Sequence, residues 1–266
     1  MSDTVVNNRR LVVRVSQTSM AFSAVGDGHE VVYRPYELKN GVSVAANLRE
    51  ALQTVDLLQS HYGSVLAMVD APVLLVPEEE FSAHEAETLY RHAFTGGEQR
   101  SVVSAVMPDL HCVALFPVDR DLQTVLSDHF GRVRCVPCVM PVWLHLHQRS
   151  YTGPRDKLYA YFHDRRMEVF AFGKNRFRFC NTFSVVRADD ALYYLLSVWK
   201  QLGMEAERDE LFMVGDVPAD GGLREKGEEF IKRVYTINPV GEFNRAAPTR
   251  IAGMPYDLVT LYVKGI

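Results

Sequence analysis

Apolar and polar positions follow the same order twice along the chain. Between residues 11 and 77, three strand-like segments precede an amphipathic helical segment and a strongly apolar run. The same order of three strands, one helix and one apolar strand recurs between residues 157 and 218. The first and last strands are 54 positions apart in one segment (Leu11 to Val65) and 53 in the other (Leu158 to Leu211). This spacing predicts a duplicated structural unit.

Polar cap residues set the predicted beginnings of the helices. Ser43 and Asp119 each precede a segment with helical spacing, and their side-chain oxygens can accept a hydrogen bond from the first turn. Asp189 or Asp190 is predicted to cap the helix of the second unit in the same way. A charged helix is predicted over residues 223–234.

The length and composition are those of an ordinary globular protein. The chain has 266 residues, of which 47% are hydrophobic and 23% are charged. A turn-rich stretch, residues 151–155, lies between apolar segments and is the best boundary candidate. We therefore expect an N-terminal subdomain over residues 1–150 and a C-terminal subdomain over residues 151–266. Strand meanders covered by helices predict the α/β class, with mixed sheets.

The charge and the apolar segments exclude several classes. A formal net charge of −4 gives no global attraction to nucleic acid or to an anionic membrane. No segment approaches the roughly 20 apolar residues that span a bilayer, and the N-terminus has no signal-peptide pattern. Four cysteines in a chain of this length do not form the framework of a small secreted protein. The sequence therefore predicts a cytoplasmic protein without a membrane span.

Two stretches carry a resemblance to a known family. They are VLLVPEEEF at residues 73–81 and the segment from YAYF at residues 159–162 to MVGD at residues 213–216. In these stretches and in element order, nearly the whole chain resembles an uncharacterised bacterial protein family, domain of unknown function 3822. The resemblance implies a duplicated actin-like ATPase fold, which is ribonuclease-H-like, with two similar subdomains and a cleft between them.

The same resemblance directs attention to the turns that hold phosphate in active actin-like ATPases. Those turns contain glycine for close backbone approach and a carboxylate for hydrated Mg²⁺. Here the first turn, residues 16–19, has neither, and the second, residues 163–166, has one carboxylate and no glycine. MVGD at residues 213–216 takes the place of the adenosine-contacting glycines. The residues that remain candidates for nucleotide binding are Thr18, Asp164, Arg165, Gly215 and Asp216.

A CxxC motif offers a separate chemistry. Cys135 and Cys138 could form a redox pair at a strand-to-helix junction, or bind zinc together with His145 and His147. The two histidines are two positions apart on a predicted helix and therefore point to different sides. The βαβ context of thioredoxin is also missing. Buried structural cysteines are the favoured interpretation, and redox and zinc chemistry remain alternatives.

A basic, aromatic region could bind a polyanion such as RNA. Between Arg155 and Arg178 there are seven basic and three acidic residues, with phenylalanines interleaved. Strand alternation places Phe177 and Phe179 on one face and Arg176 and Arg178 on the other. We therefore expect the aromatic side chains in the core, and nucleic-acid binding is disfavoured.

These observations predict a degenerate actin-like ATPase scaffold that works as a non-catalytic interaction or regulatory protein. The expected partner is an unidentified protein, with a homodimer as one option, and no cofactor or metal is predicted. One alternative is a nucleotide-dependent ATPase or kinase-like enzyme that uses the cleft, with weak binding of Mg-ATP. The other is the polyanion-binding module.

Overall fold

The first of two compact units contains a five-stranded mixed sheet and a smaller inserted sheet. A computed structural model of the protein describes residues 9–265 except 27, 96–99, 175 and 219–220, and it divides into the units Met1–Met140 and Pro141–Ile266. The elements of the first unit are β1 (Arg10–Val15), β2 (Ser19–Val25), β3 (Val31–Glu37), α1 (Val44–Thr54), β4 (Ser64–Val69), β5 (Leu74–Pro77), α2 (Ala86–Ala93), β6 (Arg100–Met107), β7 (Cys112–Asp119), α3 (Arg120–Phe130) and β8 (Val133–Pro137).

The main sheet of the first unit has the order β3-β2-β1-β4-β8. β2 is antiparallel to both β1 and β3, whereas β4 is parallel to both β1 and β8. α1 and α3 bury Leu48 and Leu126 against apolar side chains of β1, β2 and β4. The inserted sheet has the order β5-β7-β6, and Tyr90 of α2 packs on it.

Two helices of the first unit begin where the sequence predicts. The Ser43 side chain accepts a hydrogen bond from the Ala46 backbone at 3.2 Å, and Asp119 accepts one from Leu122 at 2.9 Å. Both predicted caps are confirmed. Asn47, which is fully buried in α1, adds a second restraint because it accepts a hydrogen bond from the Lys39 backbone at 2.9 Å and donates to backbone carbonyls of the loop before the helix.

The second unit repeats the main sheet of the first. Its elements are α4 (Met140–Ser150), β9 (Lys157–His163), β10 (Arg166–Gly173), β11 (Arg176–Ser184), α5 (Ala188–Gln201), β12 (Glu210–Gly215), α6 (Leu223–Glu228), β13 (Val234–Thr236), α7 (Pro239–Glu242) and α8 (Tyr256–Lys264). The strand order is β11-β10-β9-β12-β13, with the same pattern of antiparallel and parallel pairs as in the first unit. The duplication inferred from the spacing is therefore present. The subdomain boundary between residues 150 and 151 stays a prediction.

Two helix predictions for the second unit are wrong in detail. α5 begins at Ala188 with Arg187 at the N-cap and no side-chain cap, so neither Asp189 nor Asp190 is the cap. Both aspartates lie in the first turn, where negative charge complements the helix dipole. The helix predicted over residues 223–234 ends at Glu228, and Val234 belongs to β13 instead, where it pairs with Leu211 and extends the sheet.

A β-bulge changes the predicted faces of β11. Ala171 pairs with Phe179 whereas the next residue, Phe172, pairs with Phe177, so Arg178 is the extra residue of the bulge. Phe177 therefore packs against Phe172, at 4.9 Å between ring centroids, while Phe179 joins the core on the side of α5. The prediction that Phe177 and Phe179 share one face is wrong, although both are at least partly buried.

Within the described ranges, no helix combines the length and apolar character needed to cross a bilayer.

Candidate functional site

A cavity of about 750 Å³ lies in the second unit, at the turn between β9 and β10. We call it the turn pocket; its lining residues are 162–166, 185–189, 216, 218 and 221. The carboxyl ends of β9 and β12 and the beginning of α5 meet here, the edge at which open α/β sheets usually bind ligands. Asp164, Arg165 and Asp216 all line this pocket, so the structure brings three of the five candidate residues together.

The β9–β10 turn is a tight two-residue hairpin. Asp164 and Arg165 have φ of +43° and +61°, the two positive values that a type I′ turn requires. Aspartate tolerates this conformation, whereas an arginine there is strained. The turn is held by the Val185 backbone, which donates a hydrogen bond to the Arg165 carbonyl at 3.1 Å. The short hairpin therefore holds the side chains of Asp164 and Arg165 at the pocket.

Gly215 is required by packing inside the unit. Its φ is +86°, and a Cβ atom there would lie 2.2 Å from the Phe162 carbonyl oxygen and 2.8 Å from the Tyr161 ring. The next residue, Asp216, donates its backbone N–H to the same Phe162 oxygen at 2.8 Å. The close approach of β12 to β9 therefore accounts for this glycine without any ligand.

The charges lining the turn pocket are balanced. Three carboxylates face three guanidinium groups: Asp164, Asp189 and Asp216 with Arg165, Arg166 and Arg187. A hydrogen bond from Lys226, at 2.5 Å, and the charge of that lysine hold the pKa of Asp189 below its usual range. His163 lies beneath the turn, 3.5 Å from Asp164 and 3.7 Å from Glu168 between the nearest atoms. Such a mixed lining offers contacts to phosphate and to a cation, but it is not a strongly cationic site.

Thr18 belongs to the first unit, in the turn between β1 and β2. Ser16 organises this turn: its hydroxyl oxygen accepts hydrogen bonds from the backbone of Thr18 at 3.3 Å and of Ser19 at 3.0 Å. The adjacent cavity has a volume of only about 90 Å³. In an active actin-like ATPase, this turn would contain glycine and bind phosphate. Here the Ser16 side chain takes the backbone hydrogen bonds of the turn.

Asp70 is a candidate residue that the sequence prediction missed. It follows β4 directly, as Asp216 follows β12, and each aspartate donates its backbone N–H to the neighbouring strand at 2.8 Å, to Val15 or to Phe162. The two are therefore equivalent positions of the repeated sheet. The sequence does contain a signal for this equivalence, because MVD at residues 68–70 is similar to MVGD at residues 213–216.

The CxxC cysteines have the properties of structural residues. All four cysteines are free thiols, and burial raises the pKa of Cys135, the opposite of what a reactive thiolate needs. The two histidines considered as zinc ligands have other partners. His145 Nε2 is 2.9 Å from Glu242, and His147 Nε2 is 2.9 Å from the Tyr151 hydroxyl.

The basic region around β11 is partly neutralised. Arg178 donates a hydrogen bond to Asp156 at 2.8 Å and another to the Leu202 carbonyl. Phe177 and Phe179, which would have to stack with bases, are packed in the unit instead.

Comparison with solved structures identifies the fold. The chain is similar to a protein from Bacteroides thetaiotaomicron VPI-5482 with an actin-like ATPase fold and unknown function, with 26% identity, a TM-score of 0.82, and coverage of 90% of this chain and 95% of that one. It is also similar to the PilM-PilN type IV pilus biogenesis complex, with 12% identity, a TM-score of 0.54, and coverage of 96% and 97%. The expected actin-like fold is confirmed.

Sequence comparison gives the family. No curated protein matches the chain. One family model, described as Protein of unknown function (DUF3822), matches residues 3–234. The chain therefore belongs to this family, DUF3822, and has the fold of the actin-like ATPases.

Proposed function

We propose that this protein is a non-catalytic member of the actin-like fold that acts as an interaction or regulatory protein. One observation carries the proposal: the backbone groups beside the turn pocket make contacts within the chain and are not directed at a ligand. The Asp216 N–H is bonded to Phe162, and the conformation of Gly215 serves the packing of β12 on β9. A phosphate site needs such backbone groups to be directed at the ligand.

A protein partner is supported by one of the structural relatives. PilM, which has the same fold, is described in a complex with PilN. By analogy, we propose that this chain binds another protein in the cytoplasm, or a second copy of itself. The direct test of this proposal is identification of the bound protein.

Nucleotide binding can be measured by isothermal titration of the protein with Mg-ATP, together with phosphate release. We expect neither binding in the micromolar range nor hydrolysis. Asp164→Ala, Asp216→Asn and, as an exposed control, Asp128→Asn should behave like the wild type. Low-micromolar binding that disappears in the first two variants and persists in the control would contradict the proposal.

The partner can be sought by affinity capture from native lysate, with light scattering to detect a homodimer. We expect one protein to be enriched equally by the wild type and by Asp164→Ala, because the turn pocket is not needed for partner binding. Failure to capture any specific protein, combined with a monomer in solution, would count against an interaction role.

Nucleotide binding is the second candidate function, and the turn pocket itself favours it. A volume of about 750 Å³ is large enough for a small ligand, and Asp164 and Asp216 could hold a hydrated Mg²⁺ while Arg187 contacts phosphate. The Mg-ATP titration distinguishes the two functions. For the polyanion alternative, we expect no mobility shift of RNA at low salt.

A further inference from the structure

A second cavity of the second unit shares no lining residue with the turn pocket. Its volume is about 640 Å³, within the usual range for small-molecule sites. The end of α4, the following loop, β12, β13 and α7 surround it. We call it the Arg149 pocket, after the residue at the end of α4 that lines it. Neither the resemblance of the fold nor the proposed function assigns a role to it.

One wall of the Arg149 pocket is aromatic. Phe212 and Tyr235 line the cavity and stack on each other, with ring centroids 5.1 Å apart and an interplanar angle of 26°. Tyr159 also stacks with Phe212, at 5.6 Å and 24°. Phe212 is buried, whereas 41% of Tyr235 is exposed. Because Phe212 is stacked between Tyr159 and Tyr235, a planar ligand ring can pack on the exposed part of Tyr235 and against the ring edges of the wall.

The Arg149 side chain combines a paired end with an unpaired atom. Its Nη1 is 2.5 Å from Glu242, and its guanidinium carbon is 5.0 Å from the centroid of the Phe212 ring. Its Nε is buried and has no hydrogen-bond partner among the described residues. A buried donor without a partner is costly, so turning this N–H toward an acceptor bound in the cavity would be favourable.

Lys157 adds a buried cation. Only 6% of the residue is exposed, and its ammonium donates hydrogen bonds to the carbonyls of Ser150, at 3.2 Å, and Thr152. An ammonium has three donors, so one remains after these two contacts. Burial lowers the pKa of Lys157, and smaller effects come from the charges of Glu210 and Arg149.

The charges lining the pocket add up to one positive charge. Arg149 pairs with Glu242, and Arg155 pairs with Glu210 at 3.1 Å. These two ion pairs cancel, and the ammonium of Lys157 is the lining charge that remains. A ligand with a single negative charge would complete the neutralisation, whereas a multiply charged phosphate would exceed it.

We infer that the Arg149 pocket binds a small aromatic monocarboxylate. The ring lies on the Phe212–Tyr235 wall, and the carboxylate accepts hydrogen bonds from Arg149 Nε and from Lys157. The aromatic wall supplies most of the buried area, and the two cationic donors select an acid over a neutral compound of the same shape.

The test uses the full chain and a matched pair of probes. We expect 2-naphthoate to bind with a dissociation constant of about 1 mM or tighter, the range for a ligand of this size. Its neutral analogue 2-naphthamide should bind at least about tenfold weaker, because an amide does not satisfy the excess positive charge. Acetate, which has the charge without the ring, should not bind. Equal binding of naphthoate and naphthamide, or no binding of naphthoate at 5 mM (about five times the expected constant), overturns the inference.

Two variants locate the site. Tyr235→Ala removes the exposed half of the aromatic wall and should weaken naphthoate binding about tenfold or more. Tyr193→Ala is the matched control, because Tyr193 is an exposed tyrosine of α5 outside the pocket, and it should bind like the wild type. Equal affinity of these two variants places the ligand elsewhere and overturns the inference. The Arg149 Nε–H resonance of the wild type gives a direct readout: it should shift on titration with naphthoate and stay fixed with acetate.

Discussion

A single residue explains much of the geometry beside the turn pocket. Gly215 lets the end of β12 approach β9 so closely that the Asp216 N–H reaches the Phe162 carbonyl at 2.8 Å. Any side chain there meets backbone, which cannot rotate away. The position of the Asp216 carboxylate in the pocket therefore depends on the absence of a Cβ atom one residue earlier.

We predict that Gly215→Ala destabilises the protein by roughly 2–4 kcal/mol, because a left-handed backbone conformation and overpacking both carry a cost. Urea unfolding followed by tryptophan fluorescence measures the change in the free energy of unfolding. Gly203→Ala is the control, since Gly203 also has a positive φ, +65°, but no atom lies within 4 Å of the position that a Cβ would occupy there. It should cost only about 1–2 kcal/mol. If the two variants lose equal stability, the close approach of β12 to β9 is not the cause.

At the scale of elements, a half-buried ionic contact joins α4 to α7. Glu242 of α7 interacts with His145, at 2.9 Å, and with Arg149, at 2.5 Å, which lie one turn apart on α4. The hydrogen bond from His145 and the charge of Arg149 hold the pKa of Glu242 below its usual range, against an opposing effect of burial. The contact therefore depends on ionisation of the carboxyl group.

We predict that Glu242→Gln costs roughly 1.5–3 kcal/mol at pH 7, the range for hydrogen bonds to charged groups. A carboxyl whose pKa is lowered by folding stabilises the protein above its unfolded pKa of about 4.3, and that contribution is lost as the pH falls through the lower folded value. The difference from the wild type should therefore shrink below about pH 4. Glu228→Gln, in an exposed pair with Arg224 at 2.9 Å, should change stability far less. A difference for Glu242→Gln that does not vary with pH would argue against the ionic contact.

Local features of the elements were predicted correctly from the sequence, whereas features that depend on long-range pairing were not. The caps at Ser43 and Asp119 were predicted correctly because an N-cap is a local interaction within four residues. The faces of β11 were not, because the bulge at Arg178 depends on pairing with β10 and has no local signal. The strand at Val234 was missed for a related reason, because its pairing with Leu211 of β12 is also a long-range interaction.

At the scale of the whole molecule, the repeated sheet was visible in the sequence and the pockets were not. The duplication could be inferred because the first and last strands of the two segments are separated by nearly equal numbers of positions, 54 and 53. The turn pocket requires three separate elements to meet, which spacing alone does not specify. The Arg149 pocket depends on Phe212 and Tyr235, whose apolar patterns also fit ordinary core positions.

The two units can be followed separately because each has its own core and both tryptophans lie in the second. Trp143 and Trp199 are buried there, so tryptophan fluorescence reports the second unit, whereas circular dichroism reports both. We predict that Asn47→Ala costs the first unit roughly 1–3 kcal/mol, because buried backbone groups lose their partner. It should lower the unfolding midpoint seen by circular dichroism and leave the fluorescence midpoint unchanged. Gly215→Ala should instead shift the fluorescence midpoint. If both probes move together in both variants, the units unfold as one cooperative structure and separate cores do not determine stability.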